Sequence, residues 1–176
     1  MTLLLGSVAL LWALALGIGA GIVGAMRQNS MWDHAAMAAA MLGISVPAFV
    51  LGPLLILVFS LTLFWLPPAG WDSWRHIVLP ALTLGTVYAA YIARLTRGGM
   101  LEVVRADFVR TARAKGLGEW TIVRRHMLKG GLLPVVTFLG PAVASMLVGS
   151  VVVEKIFNTP GIGPYFVDAA FNRDYF

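Results

Sequence analysis

The chain has 176 residues, 59% hydrophobic and 12% charged, with a net charge of +5 and a mean hydropathy of +0.84. Ordinary globular domains carry roughly 45–50% apolar and about 25% charged residues, so this is not the composition of a soluble domain. It is that of an all-α polytopic membrane protein, and the lack of cysteine excludes disulfides, thiol catalysis and Cys-based metal sites.

Four segments are long or apolar enough to cross a bilayer, which takes about 20 residues. The first, about residues 3–26, is apolar throughout and too long for the core of a signal peptide. Gly17, Gly21 and Ala25 recur in it at four-residue spacing, which lets helix backbones approach closely, within the chain or at a subunit interface. The second, about 40–65, contains Pro47 and Gly52-Pro53 and is expected to be kinked or broken. The third, about 77–92, carries Pro80 in its first turn, where proline is tolerated. The fourth, about 132–153, opens near Pro134 and has a possible kink at Pro141. Ionisable residues lie only at the span ends, so no buried acid, lysine or histidine is expected within the spans.

Orientation follows from basic residues. Nine of the thirteen Lys and Arg residues lie in 94–129, and Arg27 joins them on the same side. Only Arg75, Lys155 and Arg173 remain for the other face, which places 27–34 and 94–129 in the cytoplasm. Residues 67–76 and 154–176 are then outside. Trp65, Trp71 and Trp74 fit an outer interfacial belt.

The loop 94–129 has internal order. Leu101, Val104, Phe108 and Ala112 share one helical face between Met100 and Lys115. Gly116 and Gly118 end that helix and permit a sharp turn. A second helix follows, with Glu119 in its first turn and Trp120, Val123 and Met127 along one face. Two short helices with a glycine corner make a projection suited to protein docking, with Arg110, Arg113 and Lys115 as its charges. The same residues could instead hold topology and touch anionic lipid. No nucleic-acid motif is present. There is also no Gly-x-x-x-x-Gly-Lys-Ser/Thr, so the chain does not cradle nucleotide phosphates by that motif. His34, His76 and His126 lack metal-ligand spacing, and the serines lack a His/Asp context. In the tail, Asn158-Thr-Pro-Gly-Ile-Gly163 is a turn sequence, followed by a short helix over Pro164–Phe171 with Phe166 and Ala170 on one side.

Arg110-Thr-Ala-Arg-Ala-Lys-Gly116, the basic helix after it and Leu133-Pro134 resemble the cytoplasmic loop of binding-protein-dependent ABC importer permeases. In that family the loop couples to the ATPase, with the pattern Glu-Ala-Ala, three residues, Gly. Here Arg110, Thr111 and Ala112 take the first three places and Gly116 matches, so the Glu is replaced. The family's proline thirteen residues after the glycine is also missing; Lys129 stands there and Pro134 resembles a later one. Both departures resemble the peptide/nickel branch. So do Gln28-Asn-Ser-Met-Trp-Asp33, Gly43-Ile-Ser-Val-Pro47, Leu79-Pro-Ala-Leu-Thr83, Ala93-Arg-Leu-Thr-Arg97, Val153-Glu-Lys-Ile-Phe-Asn-Thr-Pro-Gly-Ile-Gly163 and Asn172-Arg-Asp-Tyr175. The likeness covers nearly the whole chain and is greatest to the first permease subunit of oligopeptide importers.

The resemblance implies a single, partial transmembrane domain, with a leading span, a large outer loop and a last span absent, hence a fragment. It implies no enzyme activity and no cofactor on this chain, with ATP and Mg on a partner ATPase. Arg110, Thr111, Ala112, Arg113, Ala114, Lys115, Gly116, Leu117 and Gly118 would form the ATPase-coupling element. Glu154, Phe157, Pro160, Gly161 and Gly163 would belong to a re-entrant-like loop that docks the binding protein and gates the path. The implied partners are a second permease, two ATP-binding subunits, an extracytoplasmic substrate-binding protein and membrane lipid, in the bacterial plasma (inner) membrane. The cargo class implied is peptides, with nickel or another small solute as the alternative. A lipid-binding membrane scaffold is the rival from another class.

Overall fold

The computed structural model describes residues 1–172. Residues 173–176 lie outside the described residues, and with them Arg173 and the end of the Asn172-Arg-Asp-Tyr175 motif. The described chain is helical: α1 (Thr2–Met26), α2 (Met31–Ser45), α3 (Ala48–Leu55), α4 (Val78–Val104), α5 (Asp107–Ala114), α6 (Glu119–Ile122), α7 (Leu128–Gly131), α8 (Leu133–Ile156) and α9 (Ile162–Asn172). Three helical segments are long and apolar enough to cross a membrane: Thr2–Met26, Trp74–Val104 and Leu133–Ile156. A bent pair, Met31–Ser45 with Ala48–Thr62, makes a fourth if it is counted as one span.

The core of the fold is the seam between α1 and α4. Leu5, Ala9, Ala13, Gly17, Gly21 and Ala25 are all buried, one residue every four, so they form one narrow stripe of mostly small side chains. A Cβ added at Gly17 would lie 2.6 Å from the Ala89 carbonyl oxygen and 2.7 Å from the Ile92 side chain. At Gly21 it would run into the Thr96 side chain, and at Gly85 it would lie 2.8 Å from the Ala9 carbonyl oxygen. Small residues thus let two backbones touch where lipid offers no hydrophobic drive. Of the two possible uses of the Gly17/Gly21 spacing, the structure takes the intramolecular one. Residue numbers rise together across the seam, so α1 and α4 are parallel and the bent pair between them returns the chain to the side where α1 began.

That bent pair begins earlier than the span expected from about residue 40. The turn after α1 places Asn29 at φ 61, a left-handed conformation that Asn tolerates. Ser30 then caps α2, its hydroxyl accepting from the Asp33 N–H at 3.4 Å. α2 runs antiparallel to α4, with Gly43 against Thr86 and Ala90. It stops at the residue before Pro47, which disfavours helix at Val46, and α3 leaves at 107°. Pro53 lies inside α3, and the chain continues as a π-helix over Ile56–Thr62. α3 crosses α8, with Gly52 against Ile156 and Phe157.

α4 extends well past the expected end near residue 92. At 1.5 Å per residue it is about 40 Å long, more than the roughly 30 Å of hydrocarbon it would cross. Arg94 and Arg97 are therefore part of a rigid helix rather than of a loop. Two acids just beyond the expected spans, in segments expected to be loops, are buried: Asp33 is 2% exposed and Glu154 is fully buried. Both oxygens of Asp33 accept hydrogen bonds, whereas Glu154 accepts one through Oε2 and its buried Oε1 has no partner among the described residues.

The seam makes a direct prediction. Gly21→Ala destabilises the detergent-solubilised protein by about 1–3 kcal/mol through overpacking. Gly19→Ala, where a Cβ meets nothing within 4 Å, stays within about 0.5 kcal/mol. Thermal unfolding of both variants checks the difference.

Candidate functional site

The basic end of the molecule is a projection rooted in α4. The chain breaks at Arg105 and Ala106, and α5 then starts in a new direction. The break resets the helical phase, so the expected face over 101–112 is not continuous. Val109 and Ala112 point inward, while Phe108 is 52% exposed. α5 ends at Lys115. The Gly116 N–H donates to the Arg113 carbonyl at 2.9 Å, and the Leu117 N–H donates to the Ala112 carbonyl at 3.3 Å. Gly116 sits at φ +77, a conformation that residues with a Cβ avoid.

Gly118 opens the return leg, which runs through α6, a π-turn over Val123–Met127, and α7. Ile122, Val123 and Met127 are buried; Trp120, expected on that face, is 66% exposed. Ile122, not Trp120, completes the buried face with Val123 and Met127. These residues join Met100, Val109, Ala112 and Ala25 in one small core, flanked by Ile22, Met26 and Val103. At its base, α7 crosses α4 almost backbone to backbone. A Cβ on Gly99 would run into the Gly131 carbonyl oxygen, and one on Gly131 would lie 2.6 Å from the Met100 sulfur. The projection is thus continuous with the ends of α1 and α4.

Of the residues predicted to couple, Arg110, Thr111, Arg113, Ala114, Lys115, Gly116, Leu117 and Gly118 are exposed and contiguous; Ala112 is buried beneath them. Their charges differ in availability. Arg113 reaches across the glycine corner to Glu119, Nε to Oε1 at 2.7 Å and Nη2 to Oε2 at 3.2 Å. The Arg113 hydrogen bond holds the Glu119 carboxyl below its ordinary value, and Glu119 holds Arg113 above its own. Arg113 is therefore a staple of the corner more than an open docking charge, although at this exposure the pair contributes at most about 1 kcal/mol. Arg110 meets Asp107 at only 3.5 Å with both side chains in solvent, and Lys115 has no ion pair among the described residues.

At the opposite end, the sequence-predicted loop residues divide into a buried clamp and an exposed tip. Glu154 accepts the Gly163 N–H on Oε2 at 2.7 Å, and its main-chain carbonyl accepts the Thr159 N–H at 2.9 Å. A Cβ at Gly161 would run into the Glu154 carboxylate, and one at Gly163 would lie 2.7 Å from its Oε2. The two glycines are therefore required by the carboxylate they enclose. Phe157 is buried, and its carbonyl accepts the Gly70 N–H at 2.9 Å, tying this loop to the connection before α4. Thr2 closes the arrangement from α1, its hydroxyl accepting the Ile162 N–H at 2.9 Å. Pro160 is exposed. α9 starts at Ile162, two residues before the expected helix, and leaves Ile162, Tyr165, Phe166 and Phe171 exposed. A cleft of about 470 Å³ lies between this loop and Gly70–Asp72, lined by Trp71, Asn158, Thr159 and Tyr165.

Sequence reasoning missed a two-pronged ion pair that is the shortest among the described residues. Arg97 Nε donates to Asp33 Oδ1 at 2.6 Å and its Nη2 to Oδ2 at 2.7 Å. Both residues stood in motifs already noted, Gln28–Asp33 and Ala93–Arg97. Nothing in a single sequence pairs positions 64 apart.

The clamp is testable by hydrogen exchange. Glu154→Ala strands the Gly163 N–H, at a cost of about 1–3 kcal/mol, so exchange over residues 158–165 accelerates about tenfold or more. Glu154→Gln keeps an acceptor oxygen and keeps most of the protection.

Comparison with known proteins follows the same lines. Residues 16–176 match the family described as binding-protein-dependent transport system inner membrane component. The chain is 48% identical over 173 residues to the oligopeptide transport system permease protein OppB of Salmonella typhimurium, covering 97% of this chain and 56% of that protein. It is 46% identical over 173 residues to the protein of the same name from Haemophilus influenzae, with the same coverage. It is 48% identical over 174 residues to the glutathione transport system permease protein GsiC of Escherichia coli O1:K1, covering 99% of this chain and 57% of that one. The chain thus spans a little over half the length of these curated relatives. With the family matched over most of its residues and the helical, membrane-crossing architecture in place, the chain belongs to the inner membrane components of binding-protein-dependent transport systems.

Proposed function

We propose that this chain is part of the permease subunit of an ATP-driven peptide importer. One observation carries the reading: the exposed run Arg110–Gly118 caps a projection whose core is shared with the ends of α1 and α4. A surface built this way passes a push to the spans as rigid-body movement. The basic end faces the cytoplasm, where Lys and Arg accumulate, and the run 110–118 sits against a separate ATP-binding subunit. ATP and Mg belong to that partner; this chain contributes shape and contact and performs no covalent chemistry. Two such subunits accompany a second permease, which completes the path. The 154–163 loop faces the outer side and receives the substrate-binding protein, with Glu154, Phe157, Gly161 and Gly163 shaping it and Pro160 at its surface.

Peptides are the favoured cargo. Relatives at 46–48% identity are named for oligopeptide and glutathione transport, and glutathione is itself a peptide. Nickel or another small solute is the second reading. A lipid-binding scaffold is the least favoured, because a lipid contact needs neither the left-handed corner at Gly116 nor the buried packing beneath Ala112.

The experiment uses the full-length permease with its partner subunits in membrane vesicles. Gly116→Pro forces φ to about −65° and removes the N–H that closes the corner. It lowers ATP-dependent peptide uptake by about tenfold or more, the equivalent of 1.4 kcal/mol, and loses the co-purifying ATPase. Lys115→Glu weakens ATPase co-purification similarly, whereas the double change Arg113→Ala with Glu119→Ala has the smaller effect. Normal uptake in Gly116→Pro vesicles, or uptake abolished by an uncoupler while ATP is intact, rules the proposal out.

A further inference from the structure

The Asp33–Arg97 pair joins two parts of the molecule that otherwise meet only through smooth, small surfaces. α2 faces α4 with Ala40 and Gly43 against Ala90, Ala93 and Thr86. Between α1, α2 and α4 lies a cavity of about 270 Å³ lined almost wholly by alanine and other apolar groups. Such a surface has few interlocking side chains and gives little resistance to sliding. The hydrogen bonds between α2 and α4 among the described residues are the two from Arg97 to Asp33.

The pair is built as a fixed joint. Asp33 is nearly enclosed, its side chain 4% exposed, with Arg97 at 25%. Both carboxylate oxygens are engaged, and Oδ2 also accepts the Asn29 N–H at 3.0 Å, so the α1–α2 turn is locked to the same point. Gly24 of α1 leaves the space: a Cβ there would lie 3.0 Å from Asp33 Oδ1 and 3.4 Å from Arg97 Cδ. A two-pronged guanidinium–carboxylate contact fixes orientation as well as distance, which a point contact does not. Arg97 also lies two residues before Gly99, where the root of the projection crosses α4. The joint therefore ties the start of the bent pair directly to the base of the projection.

We infer that Asp33 and Arg97 are positioning residues for transport. They make the α2–α3 elbow move with the basic projection, so that a displacement at Arg110–Gly118 reaches the bent pair instead of being lost as slip between α2 and α4. This inference rests on the permease reading above.

The test uses the full-length permease assembled with its ATPases, second permease and binding protein in proteoliposomes, read as peptide taken up per ATP hydrolysed. Asp33→Asn and Arg97→Gln still assemble and hydrolyse ATP, but uptake per ATP falls about tenfold, inside the usual range of coupling between sites. Arg97→Lys, which keeps the charge but loses the fork, falls between them and wild type. The exchange Asp33→Arg with Arg97→Asp recovers most of the loss. Wild-type uptake per ATP in the neutral variants overturns the inference. So does failure of the neutral variants to assemble, or a loss that neither Arg97→Lys nor the exchange relieves, because the pair would then serve folding alone. A wild-type assembly without ATP-driven uptake is a different result, and it overturns the permease reading itself.

Discussion

The seam between α1 and α4 is the constraint on which the rest of the structure depends. In lipid, apolar side chains gain nothing by leaving one hydrocarbon environment for another, so helices associate where backbones can come close. The stripe Leu5–Ala9–Ala13–Gly17–Gly21–Ala25 supplies that closeness. It sets α1 and α4 parallel and in contact along their length. Everything else is hung on the pair: α2 and α3 fold back between them in sequence, α8 packs on α4, and the small core under the projection uses the last turn of α1.

The projection illustrates how a hydrophilic surface can still be rigid. Its exposed run carries charge and glycine, features that usually accompany mobile loops. Beneath that run, Val109, Ala112, Ile122, Val123 and Met127 form a core with Met100 of α4. The Gly99–Gly131 crossing removes play at the base. The Arg113–Glu119 pair closes the corner from the side. Of the cations at the corner, Arg113 is thus consumed by local structure, and the open charge there is carried mainly by Lys115 and Arg110.

The opposite end follows another rule. A carboxylate buried in apolar surroundings must find donors or remain a large penalty. Glu154 finds one in the Gly163 N–H, at the start of α9, and the glycines around it leave room for no side chain but its own. Motif residues there that look like a flexible turn are in large part the wall of a polar clamp. The basic end and this end are held by different chemistry, but α1 and α4 reach both.

Much of this was legible in the chain itself. Composition and four apolar segments were sufficient for a helical membrane protein, because crossing a bilayer demands length and apolarity that no folding detail can replace. Pro47 marked the break of the second span and Gly116 the corner of the projection, because both residues act through local backbone geometry. The motif likeness singled out Arg110–Gly118 and Glu154–Gly163 as candidates because each is a contiguous run. Phase was less legible. Phe108 and Trp120 were expected on the apolar faces of their helices and stand outside; for Phe108 the reason is the break at Arg105–Ala106, which resets the phase of every later side chain in α5. What only the tertiary structure decided were the long-range pairings: Gly17 and Gly21 facing α4 rather than another subunit, Glu154 enclosed by its glycines, and Asp33 gripped by Arg97. Periodicity and propensity act over a few residues; which distant groups share a buried site depends on how whole helices cross, and no local pattern encodes that.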